Sequence, residues 1–243
     1  MQEECQKLLP GARVLRVDAD TTAGKDSHEK LLGAFRRKEY DIMVGTQMIA
    51  KGLDFPDVTL VGVVAADMSL HVPDYRSVEK TFQLLTQVAG RAGRAQAPGR
   101  VIVQTYDPEH YGIQMAARGD YRAFYMQESS VRRRGLYPPF TILARLLVSD
   151  PDGEKAMRVA QKLEADMNAF LDADPERRGD TVQMRALEAP VKRMFGEVRW
   201  EVFIKLYARK SAWSTLSHME ELERSCKDGP VKVTLEINPS SMI

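Results

Sequence analysis

The order of apolar and polar residues divides the chain into two stretches of different rhythm. As far as about Pro108, short apolar runs alternate with amphipathic ones. Ala12–Asp18 (ARVLRVD) reads as a strand followed by a polar loop. Ser27 is placed to cap a helix whose Leu31, Leu32 and Phe35 share one face. Asp41–Gly45 (DIMVG) is a buried-type strand that ends at glycine. Val58–Ala66 (VTLVGVVAA) is a continuous apolar strand of the kind found where both faces of a parallel sheet are covered. Ser77–Ala89 has Phe82, Leu85 and Ala89 at helical spacing, and Arg100–Tyr106 (RVIVQTY) closes the series as a strand. Strands alternating with helices predict a parallel α/β layer.

Residues 109–140 read as a helical connector that ends in the Arg132–Arg134 run and Tyr137-Pro138-Pro139, where prolines stop a helix. Beyond it the rhythm changes. Thr141–Ser149 is a strand, and Asp152–Leu171 is an amphipathic helix with Ala156, Val159, Ala160, Leu163, Met167 and Phe170 on one stripe. A charged loop is expected at 172–180. Val182–Ala189 and Val198–Ala208 are strands, and Trp200, Val202, Ile204 and Leu206 of the second face one way. Ser211–Arg224 reads as a helix and Val231–Ile237 as a last strand. This β-α-β-β-α-β order is that of a ferredoxin-like unit. The expected organisation is an α/β unit over 1–108, the connector over 109–140, and a smaller α+β unit over 141–243.

Composition narrows the class without choosing a function. Of 243 residues, 44% are hydrophobic and 28% charged, the mix of a soluble globular protein. The longest apolar runs, such as Leu60–Ala66, are too short to span a bilayer, so no membrane partner is expected. Met1–Leu9 carries Glu3 and Glu4 and no apolar stretch, so no secretory leader is expected. Cys5 and Cys226 stand at opposite ends, which argues against a disulfide framework or a zinc site and for a reducing, cytoplasmic setting. Basic and acidic residues number 16 and 17 over 1–130, and 19 and 17 over 131–243. Neither part is basic enough to bind DNA by bulk charge, so any nucleic-acid contact must come from local geometry.

Two stretches carry chemistry. Gly45–Asp57, GTQMIAKGLDFPD, sets Gly45, Thr46 and Gln47 where a strand ends, with Lys51, Gly52 and Asp54 just beyond. Ligands of open parallel sheets bind outside the carboxyl ends of the strands, and small residues there let backbone N–H groups approach a phosphate. Alone, the stretch reads rather as a glycine-bounded strand followed by a turn. Gln87–Arg94, QVAGRAGR, places Arg91 and Arg94 three residues apart at a helix end, with Gly90 and Gly93 beside them. Two guanidinium forks at that spacing can reach neighbouring phosphate oxygens. The plain alternative is a basic helix end favoured by the helix dipole, and Gln87 at this spacing weighs against it.

Together the two stretches resemble motifs V and VI of superfamily 2 helicases. The run GTQMIAKGLDFPDVTLVGVVAAD, then LHVPDYRSVEKTFQLLTQVAGRAGR, then YPPF at 137–140, is similar to the PriA family of primosomal replication-restart helicases. The resemblance covers nearly the whole chain, is most specific over 41–108, and implies a partial second RecA-like lobe followed by a C-terminal domain. It implies that Thr46, Gln47 and Lys51 lie near a tracked DNA strand, and Gly52 and Asp54 near the nucleotide. It also implies that Gln87, Arg91 and Arg94 face the ATP phosphates, one arginine acting as a finger. Asp74, Tyr75 and Arg76 match a further family signature to which the sequence assigns no role.

The family's ATP and Mg²⁺ are expected to be bound mainly by a first lobe that this chain lacks. Ala19–Asp26 (ADTTAGKD) mimics the end of a phosphate loop, but Ala19 replaces its first glycine and Asp26 its hydroxyl residue. No Asp-Glu dipeptide, the core of the Mg²⁺-binding acidic box, occurs. The family's cysteine-rich zinc module is absent from the sequence, so its zinc is not expected here. FGEVRW at 195–200 and LEINPSSM at 235–242 depart from the family pattern and leave the second domain's contacts open.

Two expectations follow. One is a piece of a 3′-to-5′ DNA helicase, inactive as an ATPase alone, that works with the missing lobe, forked or single-stranded DNA, primosome proteins and single-strand-binding protein. The other is a non-catalytic DNA- or protein-binding module derived from such a motor. The four histidines are expected on the surface or in loops rather than as ligands, and Trp200, Phe203 and Tyr207 in core packing, with a base-stacking platform as the alternative.

Overall fold

The computed structural model describes residues 1–18, 27–46, 55, 57–90, 99–227 and 229–241. The chain forms two units: Met1–His71 with Val78–Phe124, and Val72–Ser77 with Tyr125–Ile243.

The first unit is mixed α/β. After a short helix α1 (Gln2–Leu8), strand β1 (Val14–Val17), helix α2 (Ser27–Arg36) and strand β2 (Ile42–Gly45) form a β-α-β crossover, and the strands pair in parallel with Val14 opposite Ile42. Strand β3 (Leu60–Val63) pairs in parallel with β4 (Arg100–Val103) across the connection that holds α3 (Asp67–Leu70) and α4 (Ser77–Ala89). A parallel pair needs such a crossover, which is why the strand–helix alternation was informative. Helix α5 (Tyr111–Arg118) follows, and α6 (Tyr121–Arg134) begins in this unit and ends in the other. The connector is therefore two helices. Gly119, at φ 64°, closes α5 in the left-handed conformation that glycine adopts without a Cβ penalty.

Strand β3 differs from its sequence expectation. It covers four residues rather than nine, and Leu60 is 57% exposed. Its described partner is β4 alone, and Val63 and Val103 pack toward α4 and α5 while Leu60 and Ile102 face outward. A two-stranded ribbon covered on one side gives alternate burial, whatever the run of apolar letters.

The second unit is built on a four-stranded antiparallel sheet in the order β6-β7-β5-β8, from β5 (Thr141–Asp150), β6 (Thr181–Met194), β7 (Glu197–Tyr207) and β8 (Lys232–Ile237). Helices α7 (Gly153–Asp172) and α9 (Lys210–Cys226) cover one face. Asp152 caps α7 by accepting from the backbone N–H groups of Glu154 and Lys155. Its apolar stripe is buried as the spacing predicts, with Ala156, Ala160 and Met167 fully enclosed against Val202, Ile204 and Leu206 of β7. The expected loop at 172–180 instead contains a helix, α8 (Pro175–Asp180). Asp174 caps it and Pro175 occupies its first turn, a starting signal masked by the charge of the segment. Strand β6 also runs past Pro190. It is an edge strand with a register irregularity between Glu188 and Arg193, the setting in which a strand tolerates proline.

The other face of this sheet buries charge. Arg145 and Glu201 are each 2% exposed, and the Arg145 guanidinium donates to Glu201 at 3.1 Å and to Glu236 at 2.8 Å. Burial raises the Glu201 pKa, and the arginine beside it opposes the rise. Removing one member of such a group leaves an uncompensated charge. Arg145→Ala should therefore destabilise this unit by about 3–5 kcal/mol. Glu201→Gln leaves Glu236 on the arginine and should cost only about 1 kcal/mol. Both tryptophans, Trp200 and Trp213, lie in this unit, so urea unfolding followed by their fluorescence reads the difference directly. Equal losses in the two variants would refute the assignment.

Candidate functional site

The site begins with what aligns the strands. Arg13 donates from its backbone N–H and from its guanidinium to both carboxylate oxygens of Asp41, at 2.8–2.9 Å. That contact holds the Asp41 carboxyl well below the usual carboxylate range. It pins the entry to β1 to the entry to β2 and fixes their register. The opposite, carboxyl end of β2 then presents Gly45 and Thr46, both exposed. Gln47, Lys51, Gly52 and Asp54, which follow, lie outside the described residues, as does the phosphate-loop mimic over 19–26.

Helix α4 positions the second stretch. Its start is a tight turn in which the Ser77 hydroxyl lies 2.6 Å from the carbonyls of Val72 and of Asp74. Phe82, Leu85 and Val88 are buried along one face, and the Phe82 ring stacks on Phe124 at 4.0 Å. Ala89, expected on this face, is exposed, and Val88 takes the inward position. Gln87 is exposed on the last turn. Arg91 and Arg94 come next in the chain and lie outside the described residues. The α4 core draws on β3, β4, α5 and α6. Val14, Leu15 and Val17 of β1 are buried as well.

Two further groups lie near these ends, one missed in the sequence and one singled out there without a role. Asp67, at the start of α3, is buried and gathers the exit of β4. It accepts from the Thr105 hydroxyl at 2.6 Å, the Tyr106 N–H at 3.0 Å and the Asp107 N–H at 3.4 Å. These bonds, the Thr105 hydroxyl first, hold its carboxyl below the ordinary carboxylate value against the opposing effect of burial. The only signal in the sequence was an acidic residue directly after an apolar strand. The second group is Asp74-Tyr75-Arg76, which belongs to the other unit. Asp74 accepts from the Arg76 N–H at 2.9 Å, and the Tyr75 ring stacks on Tyr137 at 5.4 Å.

Other candidates take structural roles. His110 caps α5 by accepting from the Gly112 N–H at 3.1 Å, and His218 stacks on Phe170 at 3.9 Å. Arg132 ion-pairs with buried Glu128 at 2.7 Å, and Arg133 lies over Phe140. Among the described residues, no group of three His, Cys, Asp or Glu side chains is placed to hold a metal ion, and no helix is long and apolar enough to cross a membrane.

The Asp67 arrangement gives a pH signature. A lowered folded pKa contributes stability that is full above the unfolded value of about 3.9 and is lost as pH falls through the folded value. Asp67→Asn should speed hydrogen exchange at Tyr106 and Asp107 at neutral pH, and its difference from the parent should close on acidification below about pH 3.9. A difference that persists unchanged to the lowest pH would refute the charged lock.

Residues 1–96 match the model of the helicase conserved C-terminal domain. The replication restart protein PriA of Bacillus subtilis (strain 168) is 46% identical over all of this chain. Those of Synechocystis and Borreliella burgdorferi are 37% and 31% identical over 99% and 100% of it. The chain spans 30%, 28% and 35% of the length of these three relatives. Sequence similarity thus runs through both units, and the chain belongs to the PriA family of replication restart proteins, with a helicase conserved C-terminal domain over its first 96 residues.

Proposed function

We propose that this chain is the C-terminal part of an ATP-dependent 3′-to-5′ DNA helicase of replication restart and primosome assembly, and that it supplies the completing half of the ATP site. In this reading residues 1–108 are the C-terminal portion of a second RecA-like lobe, 109–140 a connector and 141–243 a ferredoxin-like domain. The parallel pairs β1–β2 and β3–β4 support the first assignment, and the antiparallel order β6-β7-β5-β8 supports the last. Family membership supports the activity, since the relatives are named for replication restart.

The observation that carries the reading is Gln87, exposed on the last turn of a helix whose opposite face is core, directly before the arginine pair. A helix C-terminus offers carbonyls and a partial negative charge, so it does not attract phosphate by itself. The affinity must come from side-chain cations, and Arg91 and Arg94 follow the helix in the sequence. Their donor set fits the anionic oxygens of a nucleoside triphosphate. Bound ATP with Mg²⁺, held mainly by the first lobe, supplies the phosphoanhydride whose cleavage drives the motor. In that site Arg91, Arg94 and Gln87 would face the ATP phosphates, and one arginine would stabilise charge developing on the γ-phosphoryl group. Gly52 and Asp54 line the nucleotide, and Thr46, Gln47 and Lys51 hold the backbone of the tracked DNA strand. Forked or single-stranded DNA, primosome proteins and single-strand-binding protein are the partners, in the cytoplasm.

The test is Arg94→Ala in the chain joined to the remainder of a PriA relative. ATP turnover should fall on the order of a thousandfold, the scale of an arginine finger, while DNA affinity changes only a few-fold. Retained turnover with lost DNA binding would instead favour a binding module derived from the motor.

A further inference from the structure

The sheet of the second unit has two outer strands, β6 and β8, and among the described residues no further strand pairs with either. A free edge of this kind is a template for pairing with another chain. On both edges a glutamate from the covering helices takes the place of a partner strand. Glu223 of α9 accepts from the Leu235 N–H of β8 at 3.0 Å, and Glu164 of α7 accepts from the Ala186 N–H of β6 at 3.0 Å. Along an antiparallel strand the residues that bond to a given neighbour alternate. The Asn238 N–H, just past β8, donates to Leu143 of β5, so Val233, Leu235 and Ile237 turn their backbone groups outward.

The two edges are not equally guarded. Strand β6 carries Pro190, which has no N–H to offer, and the register irregularity between Glu188 and Arg193. Strand β8 has six residues, no proline, and a register on β5 without a shift. Its central outward N–H, that of Leu235, is the one that Glu223 takes. Leu235 and Ile237, the latter 43% exposed, border a groove of about 480 Å³ beside the strand, walled by Glu220, Glu223, Arg224 and Lys227.

The sequence of β8 fits a second β8. Laid antiparallel about a two-fold axis, with Leu235 facing its own copy, Val233 stands opposite Ile237 and all three apolar side chains share one face. On the other face Lys232 lies diagonal to Glu236 of the copy, so opposite charges meet. What opposes this pairing is Glu223. A carboxylate only accepts, so it satisfies the Leu235 N–H and offers nothing to an incoming carbonyl. Pairing must displace it, and the two-fold axis at Leu235 would bring both displaced carboxylates together against apolar side chains.

We propose that Glu223 is a gate on β8, which holds this edge closed against the β8 of a second copy of the chain. The gate acts whether or not the chain completes an ATP site.

Sedimentation of the whole chain from low to high micromolar concentration, with hydrogen exchange across the same range, compares the parent with Glu223→Ala, Glu223→Gln and Glu164→Ala. Glu223→Ala should tighten dimerisation by about tenfold or more, the scale of one backbone bond left unmet. Its amides over 232–237 should gain protection as concentration rises. Glu164→Ala should match the parent, because Pro190 and the irregularity still block β6. Adding Ile237→Pro to Glu223→Ala removes an outward N–H and no bond to β5, and should restore the parent's behaviour. Circular dichroism checks that each variant is folded. Should the alanine variant fail that check, Glu223→Gln carries the test: it keeps an acceptor, loses the charge, and should still dimerise more tightly than the parent. Unchanged association on removing the Glu223 charge would overturn the gate. So would association that leaves 232–237 unprotected, or an equal rise in Glu164→Ala.

Discussion

The burial of one face of α4 is the constraint on which the proposed site depends. Phe82 and Leu85 are held against β3, β4, α5 and α6, and that packing decides which residues of the helix can meet a ligand. Fixing Phe82 and Leu85 inward fixes Gln87 outward, because 100° per residue leaves no freedom to bury both sets. The same face sets where the helix ends and hence where the arginine pair begins. A large-to-small change at Phe82, which stacks on Phe124, would loosen both together.

The other end of the helix is held differently. Its first turn is ordered by backbone and hydroxyl contacts within Val72–Ser77, and that segment is held by the second unit. There the sheet carries an apolar face under α7 and α9 and a charged face in which Arg145 meets Glu201 and Glu236. Such a buried charge group adds little net stability but tolerates few alternative arrangements. The segment after β8 joins this system too, since the Ser241 carbonyl accepts from Arg145 at 3.3 Å while Pro239 and Asn238 receive Arg76. One short stretch thus accepts from both Arg145 and Arg76.

Much of this fold was legible in the sequence, for identifiable reasons. The limits of α4 and the stripe on α7 were readable because helical periodicity and caps are local signals. The parallel pairing followed from strand–helix alternation. What failed was decided by partners. The run 58–66 could not tell that β3 has a described neighbour on one side only, and Pro190 could not tell that β6 is an edge strand. The charge of 172–180 hid the Asp174-Pro175 start of α8. For the candidate site, the sequence singled out Thr46 and Gln87, and the structure leaves both exposed at element ends. Gln47, Lys51, Gly52, Asp54, Arg91 and Arg94 lie outside the described residues, and their roles rest on the family motifs. Asp67 escaped notice, and Arg76 was singled out without a role, because their partners, Thr105 and Pro239, lie 38 and 163 positions away. A contact between distant residues leaves no periodic trace.

The central claim is that this chain carries half of an ATP site and needs the other half for turnover. The most direct measurement is DNA-stimulated ATP hydrolysis by the chain alone, and then with the separately expressed remainder of a PriA relative, each piece first shown to be folded. The account predicts no turnover from the chain alone and turnover that depends on DNA once the two are mixed. Hydrolysis by the chain alone would contradict it, because a phosphate-binding loop would then have to exist among these residues. Silence from two folded pieces that bind each other would contradict it as well, and would leave a binding module in place of a motor.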